Sequence, residues 1–508
     1  MGTRINKLIL IFGILIYLVG CQKQNGIDNI PLAKKEFTFF EFKTTHNPNL
    51  IEDLTGVFQQ DTILITVLAG TNLKALKPSF STAIDVKVNG ITQVSDKSPQ
   101  DFTKLVTYQI TIDGISKNYV VKVQDTKLPV LYISTNNRPI QTKTTYIAGK
   151  MSIKNSNGEL YNGEIEIRGR GNSTWNFPKK PYKIKLNEKA PLLGMNADKH
   201  WVLLANYADK SLIRNEVGFE LSRRLGLAFT PAGRFVEVVL NDVYIGNYQL
   251  VEAIEVDKEK VNLAETTKDD ITGGYLVEVD GFNNTEDVNF RTPRGMPISV
   301  HYPESEDITA AQRNYIGSHF NKFEVALFET PFDSPTNNYR KFFDLKSYVN
   351  FYLVNEIMGN SDIFWSTYLY KQPQNDLLYA GPVWDFDISA NNDFRIGDSE
   401  KKLMIDAAHQ PRIWINQLMK DKEFRTQVRN RWNEVYPKLQ LTGFIDGLAE
   451  QLIISQKKNF VKWPILNQKV HFNYQAAGSY EAEVTFLKDY LKNRTQWLNG
   501  QFNSTRFQ

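Results

Sequence analysis

The chain has 508 residues, 42% hydrophobic and 23% charged, with 60 lysines and arginines against 56 aspartates and glutamates. That length exceeds one ordinary hydrophobic core and predicts two to four domains, and a formal charge of +4 spread over it gives no ground for a nucleic-acid partner. A single cysteine, Cys21, excludes an internal disulfide framework and a multi-cysteine zinc site, and the six scattered histidines offer no pair at ligand spacing.

Arg4 and Lys7 precede an apolar run from Leu8 to Val19, followed by Gly20 and Cys21. A basic start, an apolar stretch too short for a comfortable membrane span and a small residue describe a secretory signal over residues 1–21. The run Leu18-Val19-Gly20-Cys21 resembles a bacterial lipobox, which implies cleavage before Cys21 and lipidation of its thiol. A plain membrane anchor with an accidental cysteine is the other reading. Gln22 in the next position implies sorting to the outer membrane of a double-membraned cell. The expectation is an exported protein at the outer membrane or cell surface, joined to the membrane through Cys21, with a polar tether over residues 22–35.

Residues 36–126 change to short alternating runs, such as Thr62-Ile63-Leu64-Ile65-Thr66-Val67, Val86-Lys87-Val88, Val106 to Ile112 and Tyr119 to Val123. Period-two alternation bounded by Gly, Asn, Asp and Ser predicts half-buried antiparallel strands, hence an all-β sandwich. The stretch resembles the Ig-like modules of Bacteroidetes-type surface lipoproteins, and a spacer role is expected ahead of ligand binding. Residues 128–505 read as mixed α and β. Strands are predicted at Gly163–Arg168, Tyr182–Leu186, Phe235–Leu240, Tyr244–Val251 and Gly274–Val279. Helices are predicted at 210–225 with Asp209 as cap, at 309–328, and at 345–359 behind Asp344. Residues 411–502 read as almost wholly helical with a break at Pro464. A strand-rich half before a helical half predicts a two-lobed α+β domain.

The densest chemistry lies between Asn360 and Asp387. Asp362 follows a predicted helix end, and Asp385 and Asp387 close the strand-like run before them. A Tyr368-Leu369-Tyr370 strand and a turn join these acidic patches and can bring them to one end of a hairpin. Hard cations need oxygen ligands, and phosphoryl transfer needs a group that orients the attacking hydroxyl; one aspartate in a loop and another after a strand suit that division. The competing reading has Asp362 capping a turn and Asp385 and Asp387 holding a loop by hydrogen bonds. Lys183 and Lys185, two apart on a strand, share one face. That face is either phosphate-binding or, with Lys179 and Lys180, merely solvated. Arg168-Gly169-Arg170-Gly171-Asn172 reads either as a loop over phosphates, with Arg170 a binding residue, or as a structural turn. Trp175, Trp201, Trp414, Trp432 and Trp463 read as core ahead of sugar platforms. Glu252 and Glu255 near Asp257 read as a charged loop after a strand, and nothing identifies the facing carboxylate pair that a glycosidase needs.

Several stretches resemble, in order, the CotH kinase family named for spore coat protein H. They are Arg168 to Trp175, Pro178 to Leu186, Ala205 to Ser211 with Arg214-Asn215, Tyr244-Ile245-Gly246-Asn247-Tyr248, Gly273 to Glu278 and Trp384-Asp385-Phe386-Asp387. The resemblance implies a divergent protein-kinase-like fold that binds ATP with Mg²⁺ or Mn²⁺ and phosphorylates an as yet unidentified protein. It places Asp362 at the catalytic aspartate and Asp385 at the metal-binding aspartate, with Asp387 as an additional ligand. The kinase arrangement points to Lys185 first and Lys183 second as the phosphate-contacting lysine, with Glu216 or Glu220 as partner. Ser366-Thr367 stands where the family often carries an asparagine suited to a second metal ion. The expected function is an exported atypical kinase moving the ATP γ-phosphoryl group to Ser or Thr of a cell-envelope or surface protein. The alternatives are a non-catalytic pseudokinase acting in adhesion, glycan binding or assembly, and a transferase of AMP.

Overall fold

The computed structural model describes residues 36–82, 84–329, 331 and 338–508. The expected signal peptide, Cys21 and the tether lie outside the described residues. Among the described residues no helix is long and apolar enough to cross a membrane.

The N-terminal region is all-β. Its strands are β1 (Phe39–Phe42), β2 (Leu54–Thr55), β3 (Val57–Gln59), β4 (Thr62–Val67), β5 (Ser79–Ser81), β6 (Val86–Val88), β7 (Ile91–Gln93), β8 (Val106–Ile112) and β9 (Ile115–Asp125). They form a three-stranded sheet in the order β2-β1-β5 and a six-stranded sheet in the order β3-β4-β9-β8-β6-β7. Alternation in β4 buries Ile63, Ile65 and Val67 against Phe40, Phe42, Tyr108 and Val121, as the period-two pattern predicts. β4 pairs in parallel with β9, a long-range pairing that no local signal announces.

The next seven strands close on themselves. β10 (Val130–Ser134), β11 (Ile147–Asn155), β12 (Gly158–Gly169), β13 (Tyr182–Ala190), β14 (Asp198–Leu204), β15 (Gly233–Leu240) and β16 (Val243–Glu252) make a barrel in the order β10-β11-β12-β13-β14-β16-β15. Neighbours are antiparallel except at the closing seam, where β10 runs parallel to β15. Ile153, Ile167, Ile184, Trp201, Val236 and Leu250 fill the interior. Closure removes the free sheet edges that an open sheet would expose. The sandwich packs against this barrel through Leu68 and Ala69 on Val130, Val239 and Tyr244.

The second half combines a five-stranded sheet with helices. β17 (Tyr275–Val279), β18 (Asn289–Arg291), β19 (Pro297–Tyr302), β20 (Thr367–Lys371) and β21 (Leu378–Ala380) follow the order β18-β19-β17-β20-β21. The helices are α1 (Arg214–Leu225), α2 (Ala310–Phe328), α3 (Leu345–Met358), α4 (Met404–Ala407), α5 (Ile413–Leu418), α6 (Lys422–Val435), α7 (Thr442–Leu452), α8 (Ser455–Lys462) and α9 (Tyr480–Phe502). α3 is apolar on nearly every side and buried, and Asp344 caps it by accepting from the Ser347 N–H. α2 begins with a reciprocal capping box between Thr309 and Gln312. Trp201, Trp414 and Trp432 are core residues, as expected. The C-terminal run is helical in pieces, and residues 463–479, which contain Pro464, carry no helix.

One helix starts later than its periodicity predicts. α1 begins at Arg214 rather than Lys210, because the Asp209 carboxylate does not cap position 210. It accepts from the Ser211 and Arg214 backbone N–H groups and pairs with the Arg214 guanidinium at 2.5 Å. Both side chains are completely buried, so the ion pair fixes a turn over residues 209–213 before the helix can begin.

Candidate active site

α3 delivers Asp362. The helix ends at Gly359, whose φ of 54° is left-handed and whose missing Cβ leaves room for the Tyr490 hydroxyl, 2.0 Å from where a Cβ would stand. The chain then turns through Asn360, whose Oδ1 accepts the Asp362 N–H at 3.0 Å. β20 follows, pairs with β21 through Leu369 opposite Ala380, and returns the chain to Trp384-Asp385-Phe386-Asp387. The two acidic patches therefore meet at one end of a hairpin, as the spacing predicts, and Asp385 lies close enough to Asp362 to raise its proton affinity.

The returning loop is pinned from below. The Phe386 N–H donates to Asn215 Oδ1 at 2.8 Å, and the Phe386 ring lies on Gly218 and beside Phe219 of α1. Arg214 donates to the Ser389 carbonyl at 3.1 Å, and Asn392 donates to the Asp387 carbonyl at 2.7 Å. Asp385 itself adopts φ +66°, a left-handed conformation uncommon outside glycine and held here by its surroundings. Between Asp385 and the barrel lies a cleft whose lining includes Arg170, Phe177, Asn206, Tyr207, Asp385 and Asp387.

Electrostatics set this cleft apart. Burial pushes the Asp362 carboxyl up to about 6, the Arg395 guanidinium 3.5 Å away pulls it down, and Asp385 and Asp393 push it up again. Asp387 is raised well above the usual carboxylate range by burial, then by Asp385, Asp209 and Asp362. Asp385 is raised as well, chiefly by desolvation. Arg170 opposes that rise and Glu278 adds to it. Carboxylates crowded until they resist ionising together are suited to share a cation.

Family comparison assigns the chain. Residues 167–498 match the family model described as CotH kinase protein. The chain belongs to the CotH kinase protein family. Residues 49–123 match a second model, SGBP, N-terminal, so the CotH region follows a distinct N-terminal module. Among curated proteins, none matches the chain. One solved structure with a detectable likeness is described as a "putative glycoside hydrolase" from Bacteroides thetaiotaomicron, with 16% identity over 35% of this chain and 54% of that one. The match thus spans about half the length of that protein, and its TM-score of 0.16 carries no argument.

Within the CotH region, the geometry distributes the expected site residues unevenly. Asp362, Asp385, Asp387 and Arg170 come together. Arg170, carried past the end of β12, is the cation facing Asp385; it stacks on Trp384 at 5.3 Å, and its guanidinium makes no hydrogen bond among the described residues. Lys185 and Lys183 do share a face, but it is the outer face of the barrel. Lys185 pairs with Glu166 at 3.7 Å and Lys183 with Glu255 at 3.0 Å, while Ile184 between them fills the interior. Neither meets the helix glutamates. Glu216 binds Gln249 and Arg223, and Glu220 binds Arg223 and Arg224. Thr367 is buried and donates its hydroxyl proton to the Ile363 carbonyl at 2.8 Å.

Arg395, Asp393, Gln410 and Glu278 belong to the same constellation. The Gly273-Gly274 motif points to Glu278. Nothing local singles out Arg395 or Gln410. Among the described residues no three acidic or histidine side chains converge into a ready-made metal cage. Asp385 and Asp387 nonetheless fit Mg²⁺, which takes one or two carboxylates and completes its shell with water and phosphate oxygens.

Proposed function

We propose that this CotH family member is an exported, lipid-anchored protein kinase that transfers the γ-phosphoryl group of ATP to a Ser or Thr hydroxyl of an envelope or surface protein. The observation that carries the reading is the convergence of Asp362 with Asp385, Asp387 and Arg170, the last three lining one cleft beside the barrel. Asp362 accepts the hydroxyl proton as the new O–P bond forms, and the bond from the γ-phosphorus to its bridging oxygen breaks with the electron pair leaving on ADP. Positioned general bases contribute about 10²–10⁴-fold. Arg170 offers its guanidinium fork to phosphate oxygens. Asp385 and Asp387 would hold Mg²⁺ or Mn²⁺, which supplies charge neutralisation across the phosphates when bound. Export and anchorage rest on the lipobox-like residues ending at Cys21, and the N-terminal sandwich serves as the module between anchor and kinase.

A second reading is favoured by two observations. No preformed cage exists among the described residues, and Thr367, standing with Ser366 in place of an amide ligand, is buried. On that reading the cleft binds nucleotide without transfer, and the protein acts in adhesion, glycan binding or assembly. Protein lacking residues 1–21, incubated with γ-labelled ATP and Mg²⁺ or Mn²⁺ beside Asp362→Ala and Asp385→Ala, separates the two. Transfer to protein by wild type alone supports the kinase. Equal labelling in all three defeats it, and α-label transfer would instead identify an AMP transferase.

A further inference from the structure

The two oxygens of Asp362 meet different surroundings. Oδ1 accepts from Nε2 of Gln410 and lies 3.5 Å from Nη2 of Arg395. Oδ2 receives no hydrogen bond among the described residues, although the side chain keeps 26% of its surface open. Gln410 is buried with its own Oε1 unpartnered, so its contact to Asp362 sets the orientation of the amide.

Arg395 is unusually constrained for a loop arginine. Its Nε lies 2.9 Å and 3.0 Å from the two Asp393 oxygens, and its Nη2 lies 2.6 Å from Oδ2. Its guanidinium stands 4.0 Å over the Phe472 ring. Asp393 is buried and accepts the Ser361 hydroxyl at 2.5 Å. Ser361 directly precedes Asp362, so the aspartate, its neighbour's hydroxyl, Asp393 and Arg395 form a closed ring of contacts. Neutralising Asp393 does not require Nη2 to lean toward a second carboxylate, yet it does.

We propose that Arg395 is the positioning residue of Asp362: together with Gln410 it clamps Oδ1 and turns Oδ2, the oxygen without a protein partner, toward the acceptor hydroxyl. The role assigned to Oδ2 rests on the kinase reading; the clamp on Oδ1 does not. The charged groups that face Asp362 are Arg395, Asp385, Asp387 and Asp393, with His409 behind Arg395 at 3.3 Å from Nη1.

The test pairs a titration with turnover. Protein carrying ¹³C-labelled aspartate carboxyls is titrated by NMR, with the Asp362 signal assigned by its loss in Asp362→Asn. Arg395→Gln is expected to move the Asp362 midpoint upward by about a unit or more, because an adjacent cation is lost. In single-turnover transfer the same variant is expected to lose about 10- to 100-fold in kcat with KM for ATP changed by less than about twofold. Arg395→Lys keeps the charge and the Asp393 ion pair. It should hold the midpoint within about half a unit of wild type while recovering only part of the rate, because an ammonium lacks the guanidinium fork. It also serves if Arg395→Gln does not fold. A midpoint unmoved in Arg395→Gln, or full activity in Arg395→Lys, overturns the proposal. The titration needs no turnover, so a wild type that transfers nothing defeats the kinase reading while the midpoint still judges the clamp.

Discussion

Gly218 on α1 lies directly against Phe386: a Cβ built there would stand 2.2 Å from the ring. Gly218 is an interior helix residue, so its small size serves contact rather than backbone freedom. Phe386 separates Asp385 from Asp387, and α1 thereby sets the height of both carboxylates. Gly218→Ala gains up to about 1 kcal/mol of helix propensity but overpacks the ring at a cost of about 1–3 kcal/mol. The expected result is a small net loss of stability in thermal melts, with Mg-ATP affinity by calorimetry falling by roughly tenfold or more. A raised Tm with unchanged affinity would show that the ring does not govern the loop.

Asp362 holds its proton up to about pH 6 in the folded protein, above the carboxylate's ordinary 3.8. A raised carboxyl favours the folded state most below the unfolded value, and that contribution is lost as pH rises through about 6. At neutral pH the ionised, enclosed Asp362 is therefore a stability burden. Asp362→Asn is expected to stabilise the protein by about 1–3 kcal/mol near pH 8 and to change little near pH 4, while abolishing transfer. Urea unfolding at the two pH values checks the sign. In the wild type, transfer should fall as pH drops through about 6, where the base becomes protonated.

What could be read ahead of the structure follows from range. Alternation in Thr62–Val67, the cap at Asp344 and the pairing of Asp362 with Asp385 across a short hairpin are local consequences of spacing. The seam between β10 and β15 joins residues about a hundred positions apart, and no period announces it. Spacing placed Lys183 and Lys185 on one face correctly, but a period of two cannot say which face turns to the cleft. Asp209 reads as a cap from its place before the periodic run, and its buried pairing with Arg214 exists only in the fold. Arg395 acts through Asp393, Ser361 and Phe472, a set of contacts that exists only once distant segments meet.

The Asp209–Arg214 pair supports the loop that carries Asp387. Both side chains have no exposed surface, and Arg214 also donates to the Ser389 carbonyl. Removing one partner strands a buried charge, which typically costs about 3–5 kcal/mol. Asp209→Ala should thus destabilise by about that amount in urea unfolding. Arg223→Ala, at a partly exposed arginine on the same helix, should cost less than about 1 kcal/mol. Comparable losses in both variants would mean that the buried pair is not what anchors the 209–214 turn.

The cation that faces Asp385 is Arg170 rather than a lysine of β13. Lys185 is part-exposed and paired with Glu166, and Lys183 is joined to Glu255, so neither charge is directed at Asp385. Arg170 stacks on Trp384 with its donors uncommitted beside Asp385. A charged hydrogen bond to phosphate contributes about 1.5–3 kcal/mol, equivalent to about 10- to 150-fold in affinity. Arg170→Ala should weaken Mg-ATP binding by that factor, whereas Lys185→Ala should leave it within about twofold. Calorimetric titration of both variants decides the matter. A larger loss in Lys185→Ala would return the phosphate contact to β13 and require the outer barrel face to turn toward the cleft when nucleotide binds.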